Sequence, residues 1–302
     1  MKKICFLTTS RADFGTFYNL ILQSINKKSI ISNIIILGDH TEKKNSEYFE
    51  KKLFLSKQKK IKIRKFNFSQ NNINNKEVNN TFSKIIKLIG IYLNKIKPDI
   101  FVVFGDRFEM FAGAISAYIL GVPIVHIAGG EVSAGSLDDG FRHSITKLSS
   151  LHFPTSNTHR KRILQLGEKP ETVFNYGSLN VEKIIRNNYL NTNQLEKKLK
   201  LKFKAKNLLM TYHPETIDEK QSLKNTQTLL NSLKLIKNTN IIITAPNKDA
   251  QGVIMEKMIK KFIKKNKLKN FRYFETLGSQ TYLSLLKCVD GVIGNSSSGL
   301  SE

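Results

Sequence analysis

The runs Ile100-Phe101-Val102-Val103-Phe104 and Ile124-Val125-His126-Ile127 are short, almost wholly apolar and rich in branched side chains. A strand with one face in water alternates apolar with polar residues. One that does not alternate has both faces buried, as in a parallel sheet covered by helices. Runs of strand length near 2–8, 33–38, 99–105 and 123–127 alternate with helix-length stretches near 15–26, 78–96 and 108–120. This βαβα order predicts a parallel sheet. Leu151-His152-Phe153-Pro154 and Thr172-Val173-Phe174-Asn175-Tyr176 are expected to extend it, and the Lys- and Asn-rich residues 43–77 to form a surface excursion.

A composition shift around 186–206 reads as a linker. A second α/β series follows, with strands near 207–212, 240–244, 271–274 and 291–294 and helices near 217–236, 249–267 and 279–287. The expected fold class is α/β: two Rossmann-like domains, 1–186 and 187–302, facing a cleft of the kind that takes a sizeable polar ligand. The sequence stops at Glu302, just after the last strand, so the second domain is expected to be incomplete. A chain ending there is expected to be less stable and less active than an extended one.

At 302 residues the chain can build two cores, and no stretch has membrane-spanning length. The apolar start, Ile4-Cys5-Phe6-Leu7, runs into a polar turn and reads as a first strand, not a signal peptide. The two cysteines, Cys5 and Cys288, lack metal-ligand or redox spacing and point to buried thiols in the cytoplasm. The formal charge of +25 comes from dispersed lysines, without the clustered arginines and aromatics of a nucleic-acid surface. No nucleic acid and no membrane is expected as a partner; the basic surface attracts anionic substrates, and the protein is expected to be a homo-oligomer.

Charged residues follow the strands. Gly105-Asp106-Arg107-Phe108-Glu109 and Gly129-Gly130-Glu131, with Asp138-Asp139-Gly140-Phe141-Arg142-His143, gather acids and bases where an open α/β sheet keeps its active site. Thr9-Ser10-Arg11-Ala12-Asp13 joins the first strand to the first helix; Arg11 either holds a phosphate there or is a solvated arginine beside a capping turn. The spaced glycines of a dinucleotide site are absent. His213, in Tyr212-His213-Pro214-Glu215-Thr216, ends the first strand of the second series and is either functional or a packing histidine. Asn295-Ser296-Ser297-Ser298-Gly299 should open a helix, offering hydroxyls and backbone amides to a diphosphate. The histidines show no ligand spacing, so a metal site is not expected.

In order and spacing, Ser10-Arg11-Ala12-Asp13, Gly105-Asp106-Arg107-Phe108-Glu109, His126-Ile127-Ala128-Gly129-Gly130-Glu131, the stretch from Asp138 to Ser149, Tyr212-His213-Pro214-Glu215-Thr216 and Gly294-Asn295-Ser296-Ser297 together resemble the UDP-N-acetylglucosamine 2-epimerase family. The resemblance is to its hydrolysing branch, which serves nonulosonate synthesis of the sialic and legionaminic acid type, and it covers essentially the whole chain. It implies a GT-B architecture with a nucleoside-diphosphate amino sugar bound between the domains. Position by position, it implies that Asp106 and Asp138 are catalytic acids and His213 a functional histidine near the phosphates. It further implies that Arg11, Arg107, Asn247, Ser296, Ser297 and Glu302 bind the nucleotide. Relatives often carry a catalytic Glu where this chain has Ala128; Glu131, three residues on, is kept in the hydrolysing branch and is counted with the catalytic set.

The implied reaction removes the C2 proton as the nucleoside diphosphate leaves C1, then adds water with the opposite configuration at C2. It needs a base, an acid and charge stabilisation on the diphosphate, but no metal or redox cofactor, because both steps are redox-neutral. The sequence leaves open the nucleotide base, the exact 2-acetamido sugar and which carboxylate takes the proton. A GT-B glycosyltransferase and an inactive sugar-nucleotide-binding protein remain as alternatives.

Overall fold

The computed structural model describes residues 1–38, 61–68, 75–133, 136–214, 219–246, 250–296 and 298–301. The chain separates into two compact units, Met1–Lys183 and Ile184–Glu302.

The first unit runs β1 (Lys2–Thr8), α1 (Arg11–Asn26), β2 (Ile30–Ile36), β3 (Ile61–Lys65), α2 (Asn75–Ile96), β4 (Ile100–Phe104), α3 (Phe108–Ile119), β5 (Ile124–Ile127), α4 (Leu137–Leu148), β6 (Leu151–Phe153), α5 (Asn157–Gln165), a 3-10 turn (Pro170–Thr172) and α6 (Leu179–Ile185), which crosses into the second unit. Six parallel strands stand in the order β3-β2-β1-β4-β5-β6. Successive side chains of a strand point to opposite faces, so each strand feeds two cores. Cys5, Leu7, Phe101 and Val103 meet Ile85 and Ile89 of α2, Met110 and Ala114 of α3 and Ile145 of α4. Phe6, Ile34, Ile36 and Val102 meet Phe14, Phe17, Ile21 and Ile25 of α1 on the other face. Each fully buried side chain of this size stabilises the fold by about 1.5–3 kcal/mol relative to exposure.

The structure differs from the sequence reading in several places. Helix α1 begins at Arg11 rather than near 15, because Ser10 and Asp13 form a reciprocal capping box that starts it directly after the turn. Of the surface excursion expected over 43–77, Ile61–Lys65 is strand β3, an edge strand on β2, and α2 already begins at Asn75; residues 43–60 and 69–74 lie outside the described residues. The run Thr172–Tyr176 adds no strand: after the 3-10 turn it makes one isolated bridge, Val173 to His152. Its aromatics instead stack with the end of β6, Phe174 5.7 Å from Phe153 and Tyr176 6.2 Å from Phe174 between ring centroids.

The second unit contains α7 (Thr192–Leu199), β7 (Lys206–Thr211), α8 (Glu219–Lys234), β8 (Thr239–Thr244), α9 (Ala250–Lys265), β9 (Phe271–Phe274), α10 (Ser279–Leu286), β10 (Gly291–Gly294) and α11 (Ser298–Ser301). Its four strands are parallel in the order β10-β7-β8-β9. Met210, Ile241 and Ile243 pack on Leu230 and Leu233 of α8 and on Met255, Ile259 and Phe262 of α9, while Leu209 and Ile242 face Leu199 of α7 and Leu285 of α10. Among the described residues no helix is long and apolar enough to cross a membrane.

Candidate active site

In each sheet the strand order reverses beside its first strand, between β1 and β4 and between β7 and β10. Ligands of open α/β sheets bind outside the carboxyl ends of the strands at such points. In the first unit β4 ends at Gly105, which carries φ +72°, and hands the chain to Asp106 and Arg107. The centre of the cluster is Arg142, whose side chain is only 6% exposed. Its Nη2 donates to Asp106 Oδ2 and to Ser133 Oγ at 3.1 Å, and its Nη1 lies 3.6 Å from Asp139 Oδ1. The Ser133 amide in turn donates to Asp139 Oδ1 at 2.7 Å, tying the loop after β5 to the first turn of α4.

Burial pushes the Asp106 carboxyl above its usual range; the Arg142 cation pulls it back, and the charges of Asp138 and Glu131 push it up again. The three predicted acids therefore share one electrostatic field. Asp138 stands in the first turn of α4, which Ser136 caps through a bond from the Asp138 amide, 3.2 Å. Glu131 accepts a hydrogen bond from the Thr155 hydroxyl at 2.9 Å. Ala128, where the resemblance leads one to expect a Glu, is buried with φ +61°, its amide bonded to the Phe153 carbonyl at 3.0 Å.

Buried His126 braces the cluster from below. Its Nε2 donates to the Gly105 carbonyl at 2.8 Å, and Nδ1 lies 3.1 Å from the Thr146 hydroxyl of α4. Desolvation pushes this imidazole down from 6.5 to about 3, so it is a neutral strut between the end of β4 and the helix bearing Arg142.

The predicted nucleotide-binding residues are less closely gathered. Arg107 forks onto buried Glu109, Nη2 to Oε1 at 2.9 Å and Nε to Oε2 at 3.2 Å. Arg11 is the first residue of α1, with its side chain outside what is described; Asn247, Ser297 and Glu302 lie outside the described residues altogether. In the second unit His213 follows β7 and its amide donates to Asn295 Oδ1 at 2.7 Å, while Asn295 Nδ2 donates to the His213 carbonyl at 2.9 Å. Ser296 sits beside this clasp, its Oγ 2.9 Å from Ser298 Oγ at the start of α11. His213 and Asn295 thus join the ends of adjacent strands β7 and β10, with Ser296 next in the chain.

Sequence reasoning quoted Asp139 and Arg142 without giving either a role, and it passed over Thr155, His159 and the bracing by His126. The signal for the first two was present: on a helix, spacings of three and four put Asp139 beside Arg142 and His143. Among the described residues no group of His, Cys, Asp and Glu is arranged to hold a metal ion.

Comparison with known proteins identifies the family. The family described as UDP-N-acetylglucosamine 2-epimerase matches residues 23–302. A Campylobacter jejuni protein named GDP/UDP-N,N'-diacetylbacillosamine 2-epimerase (hydrolyzing) is 37% identical over 302 residues, covering 100% of this chain and 77% of the relative. The Escherichia coli polysialic acid biosynthesis protein P7 is 33% identical over 304 residues, covering 100% of this chain and 76% of its own length. In fold, the chain is similar to the crystal structure of Neisseria meningitidis UDP-GlcNAc 2-epimerase bound to UDP-GlcNAc, with TM-score 0.78 and 18% identity over 97% of this chain and 78% of that one. Two parallel α/β units of this kind are the GT-B-type fold, and with these matches the chain belongs to the UDP-N-acetylglucosamine 2-epimerase family, in its hydrolysing branch.

Proposed function

We propose that this enzyme converts a nucleoside-diphosphate-linked 2-acetamido sugar and water into the free C2-epimeric sugar and the nucleoside diphosphate. The name carried by the 37% identical relative favours a 2,4-diacetamido-trideoxy sugar over N-acetylglucosamine, with either UDP or GDP as carrier. The single observation that carries the reading is the field shared by Asp106, Glu131 and Asp138, in which buried Arg142 anchors one carboxylate and the other two act on it. A buried carboxyl whose proton affinity is raised, set in the field of two further carboxylates, can divide the work of base and acid with them.

In this reading the first-unit acids act on C1 and C2 of the sugar. Arg11, Arg107, Asn247, Ser296, Ser297 and Glu302 bind the nucleotide, and His213 acts beside the diphosphate, where an imidazole N–H donated to the departing oxygen helps the leaving group go. The enzyme works in the cytoplasm, which its two free thiols support, and as a homo-oligomer, which exposed Ile91 on α2 and Tyr118 and Ile119 on α3 support.

The test is a panel of UDP- and GDP-linked N-acetylglucosamine and N,N'-diacetylbacillosamine, incubated with the chain and no acceptor. Release of diphosphate together with the free 2-epimer is the expected result. Turnover only when an acceptor is supplied makes the protein a glycosyltransferase, and binding without turnover makes it a binding protein.

A further inference from the structure

Inversion at C2 creates a proton imbalance. In the elimination a base takes the C2 proton, the C2–H electron pair becomes the C1–C2 double bond, and the C1–O bond breaks with its pair leaving on the diphosphate. In the hydration a proton adds to C2 from the opposite face, and a water oxygen bonds to C1 and gives up a proton, which restores the group that protonated C2. Removal and return occur on opposite faces, so two different groups carry them out. The group that took the C2 proton ends the cycle with a proton too many, the one proton the reaction releases overall, and it must be reset before the next turnover.

We propose that Thr155 and His159 form a proton relay that resets Glu131 between turnovers; the proposal rests on the hydrolysing-epimerase reading above. The Thr155 hydroxyl lies 2.9 Å from Glu131 Oε1 and 2.8 Å from His159 Nδ1. Oε1 and Nδ1 are 3.9 Å apart, too far for a direct hydrogen bond, so the hydroxyl bridges them. A hydroxyl donates one proton and accepts others, which gives the chain two states. With Glu131 ionised, Nδ1–H donates to Oγ1 and Oγ1–H donates to Oε1. With Glu131 protonated, the carboxyl donates to Oγ1 and Oγ1–H donates to Nδ1. Shifting two protons along the chain converts one state into the other and transfers one net proton between imidazole and carboxyl. The imidazole then exchanges a proton with solvent through Nε2.

The local backbone holds these three residues in register. Ser156 caps α5 by accepting from the His159 amide at 3.2 Å, which fixes His159 in the first turn directly after Thr155. On the other side Gly130, with φ +79°, lies so close to that turn that a Cβ would stand 2.4 Å from the His159 carbonyl oxygen. Arg162 of α5 donates to the Gly130 carbonyl. The turn carrying Glu131 therefore rides on the start of α5. The Glu131 side chain is 37% exposed and that of His159 26%. A sugar placed against Glu131 covers the carboxyl, and the relay leads its proton away through α5.

The experiment uses the full chain and the best sugar nucleotide of the panel. Thr155→Val keeps the shape and removes the hydroxyl; His159→Gln keeps a hydrogen-bonding side chain that cannot pass a proton. Each is expected to lower kcat at least about tenfold, less than loss of a direct acid–base group, with KM little changed. Imidazole buffer should raise kcat of both variants in proportion to its concentration and leave the wild type unaffected, and Thr155→Ser should recover most of what Thr155→Val loses. A loss of kcat insensitive to imidazole, or no loss, overturns the relay while an active wild type upholds the functional reading. A wild type that releases no free epimer overturns both.

Discussion

Asp106 answers to opposed influences, and each can be removed separately. Asp106→Asn and Asp138→Asn are each expected to lower turnover at least about a hundredfold, the scale of a direct acid–base contribution, while calorimetry with nucleoside diphosphate shows affinity largely kept. Near-normal turnover in either variant removes that residue from the chemistry. In Arg142→Gln the cation that holds Asp106 down is gone, while burial and the neighbouring carboxylates still push it up. The limb of the kcat/KM profile that reports Asp106 should therefore move to higher pH. His126 gives a stability prediction. Its folded pKa, about 3, lies below its ordinary 6.5, so as pH falls through this window the unfolded chain binds a proton that the folded chain refuses. Stability from this residue is complete above 6.5 and is lost toward 3, at up to about 1.4 kcal/mol per pH unit. Urea melts should show His126→Asn flattening that acid limb. Asp106, Glu131 and Asp138 were legible in the sequence because each follows or faces the end of an apolar run. Arg142, Thr155 and His159 were not given roles, because their partners come from other elements and depend on helix phase and on β6 lying beside β5.

At the scale of elements, the continuous apolar runs are strands, and each departure from the sequence reading has its own cause. Strand β3 reads Ile-Lys-Ile-Arg-Lys, an alternation only five residues long, half-buried at an edge and set in a Lys- and Asn-rich surrounding that masked it. The apolar content of Thr172–Tyr176 suggested a strand, but Pro170 lacks an amide donor and its aromatics satisfy themselves by stacking on Phe153. Helix α4 is polar over most of its surface and buries little beyond Arg142, Ile145 and Thr146, so it offers few apolar residues to read; the Ser136 cap is a further mark of its start. Strand β10, paired with β7 from Gly291 to Gly294, ends in a very close backbone approach. Gly294, at φ +138°, approaches Thr211 so closely that a Cβ would sit 1.8 Å from its carbonyl oxygen. Gly294→Ala must push β10 off β7 and displace Asn295 from its clasp on His213. The expected cost is at least about 1–3 kcal/mol, read as a lower denaturant midpoint, with weaker nucleoside-diphosphate binding. An unchanged midpoint shows that the junction relaxes freely and is not what holds Asn295 on His213.

For the whole molecule the decisive quantity is charge. The division into two parallel α/β units was legible because it follows from counting buried strands, whereas strand order was not, since crossovers that skip a neighbour leave no local mark. The net charge of +25 is fully legible and belongs to no single site. A sugar nucleotide carries at least two negative charges on its diphosphate, and a surface of dispersed lysines raises its concentration near the protein without contacting it. Such attraction is long-ranged and fades as the Debye length shortens from about 30 Å at 0.01 M salt to about 8 Å at 0.15 M. Arginine forks and helix amides that touch the phosphates act at contact distance and are screened far less. The two sources therefore separate under salt: between about 10 and 300 mM sodium chloride kcat/KM should fall severalfold while kcat stays nearly constant, because steering acts before chemistry. Reversing lysine pairs on a helix that carries none of the strand-end residues, such as Lys197→Glu with Lys198→Glu on α7, should blunt that dependence. If kcat/KM is flat across this range, the basic surface contributes nothing to capture and contact residues alone hold the substrate; if kcat falls in parallel, salt is acting on the acid–base cluster around Arg142 instead.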